Sequence, residues 1–282
     1  MQPTSGTAPV NRVSQAALDE LRSTRLSLTE RLLCRLPAGT RNAAAARVHA
    51  LVQGLHVGAT GGRLRERPDQ HAAPSDAPGE LTVNDLTLAH TTSWAVPPPS
   101  SQPAPPAAGE TAPQQRVTVE RFSDASVGSE HWDALRDELH ADVFFISING
   151  QHEPADWAGT QRASGYLTDL YKGISVPTQD AIVERLGAEH CGLVLDVMLE
   201  LLHEELAILR GPVKPVLACL SREVEAPIRE HFAPLGYEVV YVPSSSAAAG
   251  AVPLDERRAA FARIDEALAR AVSEPLFVSD AR

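Results

Sequence analysis

Residues 192–210 read GLVLDVMLELLHEELAILR, and the fold turns on what they form. The run is apolar almost throughout. Its periodicity therefore fits one helix from Gly192 to Arg210, or a strand Leu193–Val197 followed by a helix from about Glu200. The strand is the expected form, because it completes an alternation on either side. Downstream, Pro215–Leu220 has the composition of a strand, Glu225–Leu235 of a helix closed at Gly236, and Tyr237–Val242 of another strand. Ala259–Val272 is a final amphipathic helix whose buried stripe is Phe261, Ile264, Leu268 and Val272. Upstream, Glu130–His140 reads as a helix and Val143–Ile148 as a buried strand stopped by Asn149-Gly150. Asp156–Tyr171 reads as a helix and Ile174–Pro177 as a short strand. Short Val/Ile/Phe-rich runs alternating with helices are what a parallel sheet with crossover helices requires. The expected fold is α/β, with a doubly wound, mostly parallel sheet of five strands.

That pattern starts near Val117. Before it, Pro97–Pro113 holds seven prolines in seventeen residues, and such a stretch cannot bury a face. Further back, Ser27-Leu28-Thr29-Glu30 has capping-box spacing, and Leu28, Leu32 and Leu36 repeat at helical intervals. Arg41–His56 repeats the pattern with Val48, Leu51, Val52 and Leu55. The expected organisation is a helical appendage over 1–60, a disordered Pro/Ala-rich linker over 61–115 and the α/β domain over 116–282. Charge divides the same way: ten Arg against nine acids precede Arg116, and fifteen basic against twenty-seven acidic residues lie from Arg116 onward.

The net charge of −11 over 282 residues opposes a phosphate backbone and argues against general nucleic-acid binding. No window approaches the roughly 18 uncharged apolar residues of a membrane span, and no secretory leader is recognisable. Three cysteines, Cys34, Cys191 and Cys219, make no disulfide framework. A soluble, cytoplasmic protein is expected, with export independent of a signal peptide left open.

In an open parallel sheet, ligands gather beyond the carboxyl ends of the strands. The polar residues expected there are Asn149, Gly150, His152, Glu153 and Asp156 after the first strand. Asp196 lies near the end of the third, Cys219, Ser221 and Arg222 after the fourth, and Ser244 after the fifth. Asn149, Gly150, Ser221, Arg222 and Ser244 are the candidate ligand contacts; Glu205, Asp196, His152 and Cys219 are the candidate catalytic groups. Loops are also polar for solubility alone, and the apolar neighbourhood of Cys219 favours an ordinary core cysteine over a nucleophile. His203-Glu204-Glu205 begins like a zinc-binding helix, but Ala207 stands where the second histidine is needed, so no metal site is expected.

Three resemblances bear on function. Asp142-Val143-Phe144-Phe145-Ile146-Ser147 resembles the first strand of TIR domains, and Glu204-Glu205-Leu206 before Pro215-Val216-Leu217 is similar in placement to their catalytic glutamate. Nucleoside deoxyribosyltransferases share the layout. This resemblance implies cleavage or transfer at an N-glycosidic bond, with Glu205 stabilising or capturing the ribosyl centre. Gly192–Val240 resembles GNAT acetyltransferases, which implies acetyl-CoA at a helix N-terminus. Asn149-Gly150-Gln151-His152 with Ala218-Cys219 resembles caspase-like cysteine peptidases, which implies a Cys219 nucleophile served by His152. The leading expectation is a domain binding a small nucleotide-like ligand and acting on it as hydrolase or transferase. The alternatives are acyl transfer, a Cys219 hydrolase and a non-catalytic protein whose acidic surface meets a protein partner.

Overall fold

The computed structural model describes residues 11–36, 38, 41, 45, 48, 86–96, 118–121, 139–148, 165–172, 188–243 and 253–273. In chain order these form α1 (Gln15–Ser23), α2 (Leu28–Arg35), β1 (Thr92–Val96), β2 (Thr118–Arg121), β3 (Val143–Ser147) and β4 (Tyr166–Asp169). Then follow α3 (Ala188–Ile208), β5 (Val216–Cys219), α4 (Arg222–Phe232), β6 (Val239–Tyr241) and α5 (Leu254–Ser273). One sheet runs β2-β1-β4-β3-β5-β6. Its last four strands are mutually parallel, and β1 and β2 extend the β4 margin antiparallel.

All five residues of β3 and all four of β5 are buried, as strands covered on both faces must be. Strand alternation divides them. Phe144, Ile146, Tyr166, Leu217 and Cys219 join a core with α1, α2, α3 and α4 on one face; Val143, Phe145, Leu167, Val216 and Ala218 join α5 on the other. From β4 the chain crosses β3 to reach β5, then moves one place further to β6. Both moves run the same way, so right-handed crossovers put α3 and α4 on one face. This is the doubly wound α/β arrangement expected, with four parallel strands.

The missing strand is Leu193–Val197, which lies inside α3. Val194, Val197, Leu201 and Leu209 are buried at helical spacing, together with Met198, Leu202 and Leu206 beside them. The sheet covers one side of the helix, and α1 and α2 cover another. Only a narrow polar seam remains, which is why the run looks uniformly apolar.

Asp156–Tyr171 is likewise not one helix, since Tyr166–Asp169 is β4. Gly165 precedes it, where an added Cβ would lie 2.4 Å from the Phe145 ring. The linker expected over 61–115 does not hold for residues 86–96, which form a buried 3-10 turn, Leu88–Thr91, and β1. Of the remaining expected elements, 130–138, 174–177 and, apart from residues 41, 45 and 48, the helix over 41–56 lie outside the described residues, while His140 makes an isolated bridge with Arg12.

The first helices are part of the core. α1, which no sequence signal had marked, is capped by Ser14, whose Oγ accepts from the Ala17 amide at 3.1 Å. α2 begins where expected but without its capping box: Ser27 sits at φ 45° and its side chain makes no cap bond. Before α1, Asn11 acts as a staple. Its amide donates to Asp142 Oδ1 at 2.7 Å, and its side chain exchanges two hydrogen bonds with the Val213 backbone, 3.1 and 3.3 Å. Gly211 permits this approach, because a Cβ there would fall 2.1 Å from Asn11 Oδ1.

Candidate functional site

The carboxyl ends of β3 and β4 meet in a hydrogen-bonded pair. Ser147 and Asp169 are register partners, and Ser147 Oγ donates to Asp169 Oδ1 at 2.6 Å. Ser147 is buried and Asp169 half-buried, so the carboxylate stands at the rim of the sheet. Beside them β5 ends at Cys219 and passes into α4. Ser221 caps that helix by accepting from the Val224 amide at 3.2 Å, a structural use of its hydroxyl. Arg222 lies over the Tyr241 ring at 3.8 Å and pairs with Glu225 at 2.5 Å. Glu223 and Glu225 occupy the first turn of α4 and answer its positive end. Although desolvation pushes the Glu225 carboxyl up, hydrogen bonds from Arg229 and Arg222 hold it below its ordinary value. An incoming anion at this helix start would meet carboxylates. Asn149, Gly150, His152 and Ser244 lie outside the described residues.

Glu205 belongs to a different, sealed cluster beneath this rim. Its carboxylate pairs with Lys172 Nζ at 2.8 Å, with both side chains fully buried. Thr168 Oγ1 lies 2.9 and 3.1 Å from the two carboxylate oxygens. Lys172 Nζ also donates to Thr168 Oγ1 at 2.6 Å and to the Asp169 carbonyl at 3.1 Å, so it ties the end of β4 to α3. Burial raises the Glu205 carboxyl above its ordinary value against the opposing pull of Lys172 and Thr168. Tyr166 is raised well above its own, by burial first and then by the Glu205 charge. Its hydroxyl faces Thr92 and Glu205 without a well-formed hydrogen bond among the described residues.

Asp196 and Glu205 do not converge. Nine residues apart on α3, they are separated by about 13 Å of rise and half a rotation. Asp196 is 59% exposed and lies 3.7 Å from Arg35. It belongs to a ladder at the α2–α3 seam, in which Arg31 grips Glu204 with two bonds of 2.7 and 2.8 Å and Arg35 meets Glu200 and Asp196. Arg31 and Arg35 of α2 thus supply an intramolecular counterpart to α3's acidic face. Ser27, Glu30, Arg31, Cys34, Arg35 and Glu200 line a shallow surface depression of about 550 Å³ there.

Cys219 is fully buried, and burial pushes its thiol far up, the opposite of nucleophile activation. Cys191 is pushed up by burial too. No protein-family model matches the chain, and no curated protein or solved structure does. Among the described residues no group of three His, Cys, Asp or Glu is arranged to hold a metal. No described helix is long and apolar enough to cross a membrane.

Sequence reasoning passed over Ser147, Thr168, Asp169 and Lys172. Thr168 and Asp169 sat inside a supposed helix and Lys172 just beyond it, where their relation to strand ends was invisible. Gly165 followed by Tyr166-Leu167-Thr168 was the available signal: a breaker, then residues that favour a pleated strand.

Proposed function

We propose that this domain binds a small, sugar-containing, nucleotide-like ligand at the carboxyl ends of β3 and β5 and cleaves or transfers at its N-glycosidic bond. The observation that carries the reading is strand order. β4 lies on the far side of β3 and β6 on the far side of β5, so the strand order reverses between β3 and β5, and open α/β sheets bind ligands at such a reversal. The Ser147–Asp169 pair stands at that rim, and Ser221 opens α4 just after the end of the neighbouring strand β5.

Breaking an N-glycosidic bond builds positive charge on the sugar carbon, and an oriented carboxylate stabilises it. Asp169 is the carboxylate placed to do so, held by Ser147. Glu205, sealed with Lys172, supports the strand end from below. The acids in the first turn of α4 favour the sugar and base over a phosphate at that position.

The test is hydrolysis of NAD and of purine and pyrimidine nucleosides by the full chain and by Asp169→Asn. Loss of cleavage with an unchanged circular dichroism spectrum is the expected result. Full activity in the variant, or no cleavage and no thermal shift with any of these compounds, overturns the reading. Thermal protection by acetyl-CoA alone would favour acetyl transfer instead.

A further inference from the structure

The outer margin of the parallel sheet is β6, three residues long and surrounded by arginines. Glu238 accepts from the Leu217 amide and Val242 donates to the Cys219 carbonyl, so these two face β5. Strand alternation then turns the peptide groups of Val239 and Tyr241 outward. Both outward carbonyls are occupied by side chains. Arg229, from α4, donates to the Val239 carbonyl at 2.7 Å, and Arg263, from α5, to the Tyr241 carbonyl at 3.3 Å. Arg270 meets the Glu238 carboxylate at 3.1 Å, and Arg222 covers the Tyr241 ring. Four guanidinium groups thus converge on one short edge, with Glu225 and Glu238 as their carboxylate partners there. The four arginines outnumber the two carboxylates that pair with them, on a chain of net charge −11.

We infer that the β6 edge is a docking surface for an extended acidic segment of a partner protein, which adds to the sheet as a further strand. Charge selects the occupant. A neutral strand would have to displace both guanidinium groups from these carbonyls, leaving Arg229 with Glu225 alone and costing Arg263 its bond to the Tyr241 carbonyl, with nothing offered in return. An acidic strand offers carboxylates in exchange, and a guanidinium–carboxylate hydrogen bond is roughly twice as strong as one to a neutral carbonyl. As Arg229 and Arg263 swing to those carboxylates, the Val239 and Tyr241 peptide groups are released to pair with the incoming backbone. Without such a partner, the arginines keep the edge from pairing indiscriminately.

The test uses the full chain and two fluorescent peptides, one alternating Glu with Val and one alternating Gln with Val. Fluorescence anisotropy is expected to show the Glu peptide binding about tenfold or more tightly than the Gln peptide, weakening as salt rises from about 50 to 300 mM. Amide exchange at Val239 and Tyr241 is expected to slow when the Glu peptide is bound. Arg263→Ala/Arg270→Ala, both exposed on α5, is expected to lose that preference while keeping the wild-type melting temperature. Equal binding of the two peptides, undiminished Glu-peptide binding by the double variant, or binding that leaves both amides unprotected overturns the proposal. So does a wild type that binds neither peptide beside an Arg229→Ala/Arg263→Ala variant that self-associates on sedimentation, since the arginines would then only bar the edge.

Discussion

Lys172→Met removes the cation from a fully buried pair while keeping the length and most of the volume of the side chain. What remains is a Glu205 carboxylate with Thr168 as its hydrogen-bond donor, walled in by the sheet and α3. Breaking a buried pair on one side costs about 3–5 kcal/mol. Glu205 has one escape, which is to take up a proton. Burial already holds its carboxyl above the ordinary value, and Lys172 is the strongest influence pulling it back. In the variant the native-state pKa therefore rises further above the unfolded value of about 4.3. The native state then binds a proton that the unfolded chain has released, so stability is greatest below the unfolded pKa and is lost as pH rises through the native one. Urea denaturation followed by circular dichroism at a series of pH values from about 4.5 to 8 reads this directly. The wild type should show the same sign with a shallower slope. Replacing the whole cluster by apolar groups, Lys172→Met/Glu205→Met/Thr168→Val, should recover most of the loss, because a buried ion pair is often no better than hydrophobic packing of equal volume. A single variant as stable as wild type at pH 8, or one that gains stability as pH rises, refutes the reasoning.

The Asn11 staple makes a second prediction. Asn11→Ala leaves the Val213 amide and carbonyl without their side-chain partners and should destabilise the chain by about 2–3 kcal/mol with an unchanged denaturant slope; a loss below about 0.5 kcal/mol would show that the staple is dispensable. Thiol reactivity supplies a third. Exposed Cys34 should react with an aromatic disulfide reagent at once, whereas Cys219, buried and with its thiol pushed up, should react only after denaturation. Prompt labelling of Cys219 in the native protein would contradict its burial.

The fold was legible where an element has one buried side. α5 shows its stripe because its outer face is solvent; α4 is marked at its start by the Ser221 cap, and the 3-10 turn Ala233–Leu235 that follows it is closed by Gly236 at φ 81°. β3 and β5 announce themselves as short, wholly apolar runs. α3 was hard for the opposite reason. Neighbours cover it on more than one side, so helical periodicity survives only in the seam of Asp196, Glu200 and Glu204, one residue per turn. That seam was in the sequence, and counting polar positions in place of apolar ones would have found it. β1 was hidden by the prolines after it, since its pairing partners, Tyr166–Thr168 and Thr118–Arg121, lie far along the chain. The candidate site was less legible still. Lys172 and Glu205 stand 33 residues apart in sequence, and only the crossing of β4 by α3 brings them together.

The Asn11 clasp reaches across 202 residues to Val213 and 131 to Asp142. On the ribosome, Asn11 emerges long before either partner exists, so α1 and α2 wait with their leucines unsatisfied while nearly all of the sheet is made. Contacts of such span slow folding and lengthen the interval in which apolar surface stands open to chaperones or to misassociation. Truncation at the proline-rich stretch would prolong that interval indefinitely, by removing the segment whose arrival closes it.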